Sequence, residues 1–98
     1  MKKTVNKVIV THPVTGTKQQ LDLSIYKPFK AAILQSLKGS KGKTFTQLTE
    51  DVTAIIRKKI PDFKRSIPWY TISVRLDLES KSIVETVVEK GKKLNRIK

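Results

Sequence analysis

The stretch from Ser66 to Val84 constrains the fold more than any other part of this chain. It reads Ser-Ile-Pro-Trp-Tyr-Thr-Ile-Ser-Val-Arg-Leu-Asp-Leu-Glu-Ser-Lys-Ser-Ile-Val, a helix start, an amphipathic helix, an abrupt stop and a strand in immediate succession. Ser66 supplies an N-cap oxygen, and Pro68 stands where a missing N–H costs least. At about 100° per residue, Trp69, Ile72 and Leu76 form one stripe, and Tyr70, Val74 and Leu78 form a second. Thr71 and Arg75 project between the stripes on one side, and Ser73, Asp77 and Ser80 on the other. Burial along both stripes predicts a helix packed inward, with a narrow polar strip left for a partner.

The rest of the chain is built around that helix. Thr4 to Thr11 is rich in β-branched residues, Pro13-Val-Thr-Gly16 is a turn signal, and Thr17 to Leu21 can return as a second short strand. Residues 1–23 are therefore expected to form an N-terminal β-hairpin. His12, the sole histidine, has no cysteine or acidic neighbour and reads as a turn residue. Ser24 to Leu37 predicts a first helix with Pro28 in its first turn and with Phe29, Ala32, Ile33, Ser36 and Leu37 toward the core. Lys27 and Lys30 lie off that stripe. Gly39 and Gly42 end it in a basic loop, whose glycine spacing and lack of a preceding strand exclude a phosphate-cradling P-loop.

Lys43-Thr-Phe45 predicts a short strand. Thr46 is expected to cap a second helix, with Glu50 and Asp51 near its positive end. Leu48, Val52, Ile55, Ile56 and Ile60 recur at helical spacing, and Arg57-Lys-Lys59 opposes the dipole in the last turn. The link Pro61 to Ile67 is longer than a simple helix-turn-helix turn. Phe63 is expected to pack beneath it. Lys64 and Arg65 stand directly before the next helix, a place suited to phosphate contact. Ile83 to Val88 and Leu94 to Ile97 predict a hairpin around Glu89-Lys-Gly-Lys92.

Charge and composition narrow the function. The chain of 98 residues carries 21 Lys+Arg against 8 Asp+Glu, a net charge of +13. That balance predicts attraction to polyanions, nucleic acid first and anionic membrane surfaces second. From Lys90 to Lys98 every charged side chain is basic. There is no cysteine, so no disulfide framework, thiolate metal site or thiol nucleophile exists. The apolar run Val8-Ile-Val10 is too short for a signal peptide, and no run approaches a transmembrane length, which predicts a cytoplasmic protein. Asp77 and Glu79 point to different helix faces and cannot act as a catalytic pair. The aromatic residues are spread over separate elements rather than paired on a strand for base stacking. These features predict a protein that is not an enzyme and needs no metal, cofactor or small-molecule ligand.

The run Leu76 to Val84 resembles the end of a winged-helix recognition helix, and the strand, Lys-Gly turn and basic strand after it are similar to that superfamily's wing. The resemblance to the winged helix-turn-helix superfamily covers roughly residues 24–98. His12-Pro13, Gly16, Tyr26, Ala31 to Leu34 and the Leu76–Val84 run resemble, more narrowly, a small bacterial winged-helix family of unknown function. Ser82 departs from the pattern, standing where the superfamily usually has glycine to end the helix in the left-handed conformation.

The order of elements independently predicts the same α+β architecture: a three-helix core with a short strand and a C-terminal hairpin wing over residues 24–98, preceded by the hairpin of residues 1–23. The expected partner is double-stranded DNA, for a small transcriptional regulator or nucleoid-associated protein. In that reading Thr71, Ser73 and Arg75 face base edges, and Lys64, Arg65, Lys90, Lys92, Lys93 and Arg96 hold phosphates. The alternatives are a protein–protein adaptor, since winged helices also serve as interaction modules, and a weaker RNA or ribosome association through charge. A homodimer would have to use the N-terminal hairpin or the first helix.

Overall fold

The computed structural model describes residues 7–12 and 15–98. It is an α+β fold of three helices and two small antiparallel hairpins. The order is β1 (Lys7–Thr11), β2 (Lys18–Asp22), α1 (Leu23–Leu37), α2 (Phe45–Lys59), α3 (Ile67–Ser80), β3 (Val84–Glu89) and β4 (Lys92–Ile97). β1 pairs with β2, with Val8 opposite Leu21 and Val10 opposite Gln19. β3 pairs with β4, with Thr86 opposite Asn95 and Val88 opposite Lys93. The expected strand residues Thr4 to Asn6 and the turn residues Pro13 and Val14 lie outside the described residues. Within the turn, His12 Nδ1 accepts from the Thr15 N–H at 3.3 Å.

The core is made where the apolar faces of the three helices meet, and the first hairpin closes one side of it. Phe29, Ala32, Ile33 and Leu37 of α1 meet Leu48, Val52 and Ile56 of α2 and Tyr70, Val74 and Leu78 of α3, all buried. Val10 and Leu21 add the inner face of β1–β2, whereas β3–β4 contributes only Val84 at its base. Phe63 lies under the α2–α3 link, its ring 5.5 Å from Phe29 and 5.8 Å from Tyr70.

Several boundaries differ from the sequence expectation, each for a local reason. α1 starts at Leu23, directly after β2, so Pro28 falls in the second turn rather than the first. The acceptor it leaves without an N–H is Ser24, an exposed residue whose carbonyl can turn to water. α2 is capped by Thr44, not Thr46, because Thr44 and Gln47 form a reciprocal capping box that Thr46 has no Glu or Gln to complete. Glu50 and Asp51 therefore stand beyond the first turn. Asp51 instead pairs with Lys43 and accepts from Ser36, which together hold its carboxyl below the usual range.

The strand expected over Lys43 to Phe45 contracts to one bridge, in which Lys43 and Asn95 exchange backbone hydrogen bonds of 2.9 and 2.6 Å. Gly42 lets the loop lie this close to β4: a Cβ there would stand 2.9 Å from Leu94 Cβ. β4 begins at Lys92, two residues earlier than expected, because Lys90 and Gly91 alone make the turn. Both have positive φ, 51° and 79°, as a two-residue turn matched to strand twist requires.

Candidate nucleic-acid interface

α3 begins as the sequence predicts. Ser66 Oγ accepts from the Trp69 N–H at 3.2 Å, and Pro68 occupies the first turn. It ends in a Schellman arrangement: the Ser82 N–H donates to Glu79 O and the Ile83 N–H to Leu78 O. Ser82 takes the left-handed conformation there, with φ of 63°. The joint between α3 and β3 thus uses a glycine-type geometry without glycine.

The faces of α3 differ from the two-stripe expectation. Tyr70, Val74 and Leu78 are buried as expected, but Trp69 and Ile72 remain 42% and 39% exposed. The polar residues flanking the buried stripe are covered instead. Thr71 is fully buried, and its hydroxyl donates to Ile67 O at 2.7 Å. Arg75 keeps only 12% of its side chain exposed. Its guanidinium donates to Glu79 Oε1, Thr86 Oγ1 and Asn95 Oδ1 at 3.1, 3.2 and 3.1 Å. Asn95, buried across the hairpin from Thr86, donates in turn to Lys43 O at 3.1 Å.

Asp77, on the opposite flank, is fully buried. It accepts from the Thr11 N–H at 3.0 Å, the Tyr26 hydroxyl at 2.6 Å and Lys81 Nζ at 2.7 Å. Burial and the adjoining carboxylate push the Tyr26 phenol well above its ordinary value. Ser73 lies on the same flank, lining a cleft of about 100 Å³ with Leu76, Val10 and Gln19.

Two of the three base-contact candidates have partners within the molecule. Thr71 and Arg75 are turned inward, the first into the helix backbone and the second into the β3–β4 hairpin. Ser73 is half-buried. The outward face of α3 is apolar: Trp69, Ile72 and half-buried Leu76. Sequence spacing grouped those three correctly but gave no sign that a hairpin covers each flank. The signal that could have shown it is the pair Arg75 and Asp77, opposite charges on opposite flanks of one helix.

The phosphate-contact candidates fare differently. Lys64, Lys90, Lys92 and Lys93 are exposed and make no ion pair among the described residues. Arg65 is exposed and donates to Tyr70 Oη at 3.0 Å. Arg96 is held by Glu85 at 2.6 Å across the hairpin. Asp22, Asp51, Asp77, Glu79 and Glu85 each pair with one cation inside the molecule, which leaves the surface excess strongly basic.

β3 starts just past the C-terminus of α3, and Arg75 reaches Thr86 at 3.2 Å, so the hairpin is joined to the helix at this level.

Among the described residues no cluster of three or more His, Asp or Glu side chains could hold a metal ion. No helix among them is long and apolar enough to cross a membrane. In comparison with known proteins, residues 7–94 match the model of a family of unknown function, DUF6958. No curated protein and no solved structure matches the chain.

Proposed function

We propose that this chain, which belongs to the DUF6958 family of unknown function, is a non-enzymatic winged-helix protein of the cytoplasm that binds double-stranded DNA. The observation that carries the reading is the hairpin tip: Lys90, Lys92 and Lys93 are exposed, without ion-pair partners among the described residues. They sit on a hairpin anchored to the helices at its base by Arg75 and the Lys43 bridge. A basic arm on a firm root is what a wing needs to hold phosphate beside a groove. The bridge also supports the winged-helix reading, because it adds a segment between α1 and α2 to the edge of the hairpin.

Within that reading the protein resembles a nucleoid-associated protein more than a sequence-selective regulator. Thr71 and Arg75, the side chains best suited to hydrogen-bond base edges, are engaged internally. Phosphate contacts dominate, through Lys64, Arg65 and the wing lysines. The outward Trp69 and Ile72 favour a second reading, a protein–protein adaptor.

Fluorescence anisotropy with a random duplex at several salt concentrations tests the proposal. If about four to six phosphates are neutralised, log K falls against log salt with a slope of about −3.5 to −5.5. Replacing Lys90, Lys92 and Lys93 together by Ala makes the slope shallower by about 2–3 units. No binding at low salt overturns the DNA reading in favour of the adaptor.

A further inference from the structure

The outward face of α3 has a composition that its polar flanks do not explain. Trp69, Ile72 and Leu76 recur at i, i+3 and i+7, and so share one side of the helix. Trp69 and Ile72 are about two-fifths exposed, at 42% and 39%. The Trp69 ring stands edge-on to Tyr70 with centroids 4.9 Å apart, which fixes its pose. Beyond Leu76 the same side of the helix continues to Glu79, whose carboxylate is held by Arg75, and to exposed Ser80 in the last turn. Thr71 and Arg75 are engaged internally, and Ser73 looks toward the first hairpin.

The rim of the face is cationic. Lys64 and Arg65 stand just before its N-terminal end, and the hairpin carrying Lys90, Lys92 and Lys93 is joined to the same helix at Arg75. A second copy of the chain carries the same +13 and is repelled. An apolar centre with a positive rim fits a partner with apolar points between rows of negative charge. The major groove of A·T-rich DNA has that form: thymine 5-methyl groups project into it between two phosphate strands.

We propose, on the footing of the duplex-binding reading above, that Trp69, Ile72 and Leu76 contact thymine methyl groups in the major groove and give the protein a preference for A·T-rich duplex. Recognition is then by apolar contact with methyl groups rather than by hydrogen bonds to base edges. Each methyl removed from water contributes about a fourfold gain in affinity, so two or three contacts give roughly 15- to 60-fold.

The test compares two duplexes of equal length and charge, one of alternating A·T pairs and one with every thymine replaced by uracil, which deletes only the methyl groups. Anisotropy at one moderate salt concentration should show the wild type binding the thymine duplex at least about tenfold more tightly. Ile72→Asn, at an exposed position and checked by its thermal melt, should bring that ratio toward one while changing uracil-duplex binding little. The Lys90, Lys92 and Lys93 to Ala variant should weaken both duplexes alike and keep the ratio. Equal wild-type affinity for the two duplexes overturns this inference and leaves DNA binding standing. Binding to neither duplex overturns both. Sedimentation showing a wild-type dimer that Ile72→Asn dissolves assigns the face to a second copy, and overturns the methyl reading.

Discussion

The two hairpins beside α3 are nearly equal in length but are fastened by opposite charges and in different currencies. Asp77 grips β1–β2 through a main-chain group, the Thr11 N–H. Arg75 grips β3–β4 through two side chains, Thr86 and Asn95, which face each other across the strands. The two anchors stand two residues apart and so are separated by about 200° around the helix. The first hairpin also sinks Val10 and Leu21 into the core, while the second sinks only Val84. One hairpin is therefore a wall of the domain. The other is an arm rooted at its base, with Val88 near the tip 68% exposed.

The largest expected effect comes from breaking the wall. Asp77→Ala leaves the Thr11 N–H and the Tyr26 hydroxyl without their acceptor in a buried place. It should cost about 3–5 kcal/mol in urea unfolding. Hydrogen exchange on the same variant should show the Thr11 amide losing protection before the amides of β3 and β4. Equal loss in both hairpins would mean that Asp77 stabilises the whole domain rather than one wall.

Breaking the arm should cost less. Arg75→Ala deletes the Nη1 contacts that Glu79, Thr86 and Asn95 share, two of these partners being at the root of the hairpin, and is expected to lower stability by about 2–3 kcal/mol. Arg75→Lys should recover only part of this, because the lysine side chain ends one bond short of Nη1, the nitrogen that meets Glu79, Thr86 and Asn95. A melt of Arg75→Ala indistinguishable from wild type would return the guanidinium to the surface and reopen it as a base reader.

The anchor of the wall also responds to pH. Tyr26 is held neutral by burial and by the Asp77 carboxylate, so its folded pKa lies above the ordinary value near 10. Its contribution is present below about pH 10 and is lost as the pH rises above that value, because the unfolded phenol ionises first. Tyr26→Phe should cost about 1–2 kcal/mol at pH 7 and flatten the alkaline decline in the melting temperature. An unchanged decline would assign it to the lysines.

The smallest effect sharpens the arm instead of breaking it. Ser82→Gly relieves a left-handed φ of 63° at the joint between α3 and β3. It should raise stability by about 0.5–1 kcal/mol, read in a thermal melt. A loss would show that the serine is held there by something other than the turn.

Local chemistry made much of this fold legible. Ser66 and Pro68 marked the start of α3, Lys90-Gly91 the hairpin turn, and Phe29, Ile33, Val52 and Ile56 the helical core. The same chemistry was present but misread at Thr44, where Gln47 three residues on completes the cap. The faces of α3 were not legible, because a helical wheel gives angles without neighbours. Once β1 supplies a backbone donor to Asp77, and β3–β4 supplies acceptors to Arg75, polar residues can be buried on both flanks. The apolar stripe of Trp69, Ile72 and Leu76 is then left outermost. The lysines of the arm stayed where spacing put them, since exposed cations at a hairpin tip depend on no neighbour.

The bridge between Lys43 and Asn95 also bears on the order in which the chain folds. It joins residues 52 positions apart, wider than the contacts of α1 with α2 or of α2 with α3 and about as wide as the 51 positions between Tyr26 and Asp77. Closing so wide a loop loses entropy before any hydrogen bond rewards it, so the bridge is expected to form after the nearer contacts of Arg75 with Thr86 and Asn95, 11 and 20 positions apart. Until then the slot beside Gly42 stays open. Closing the bridge is a late, reversible step, and its strength governs how slowly the finished protein comes apart more than how quickly it forms.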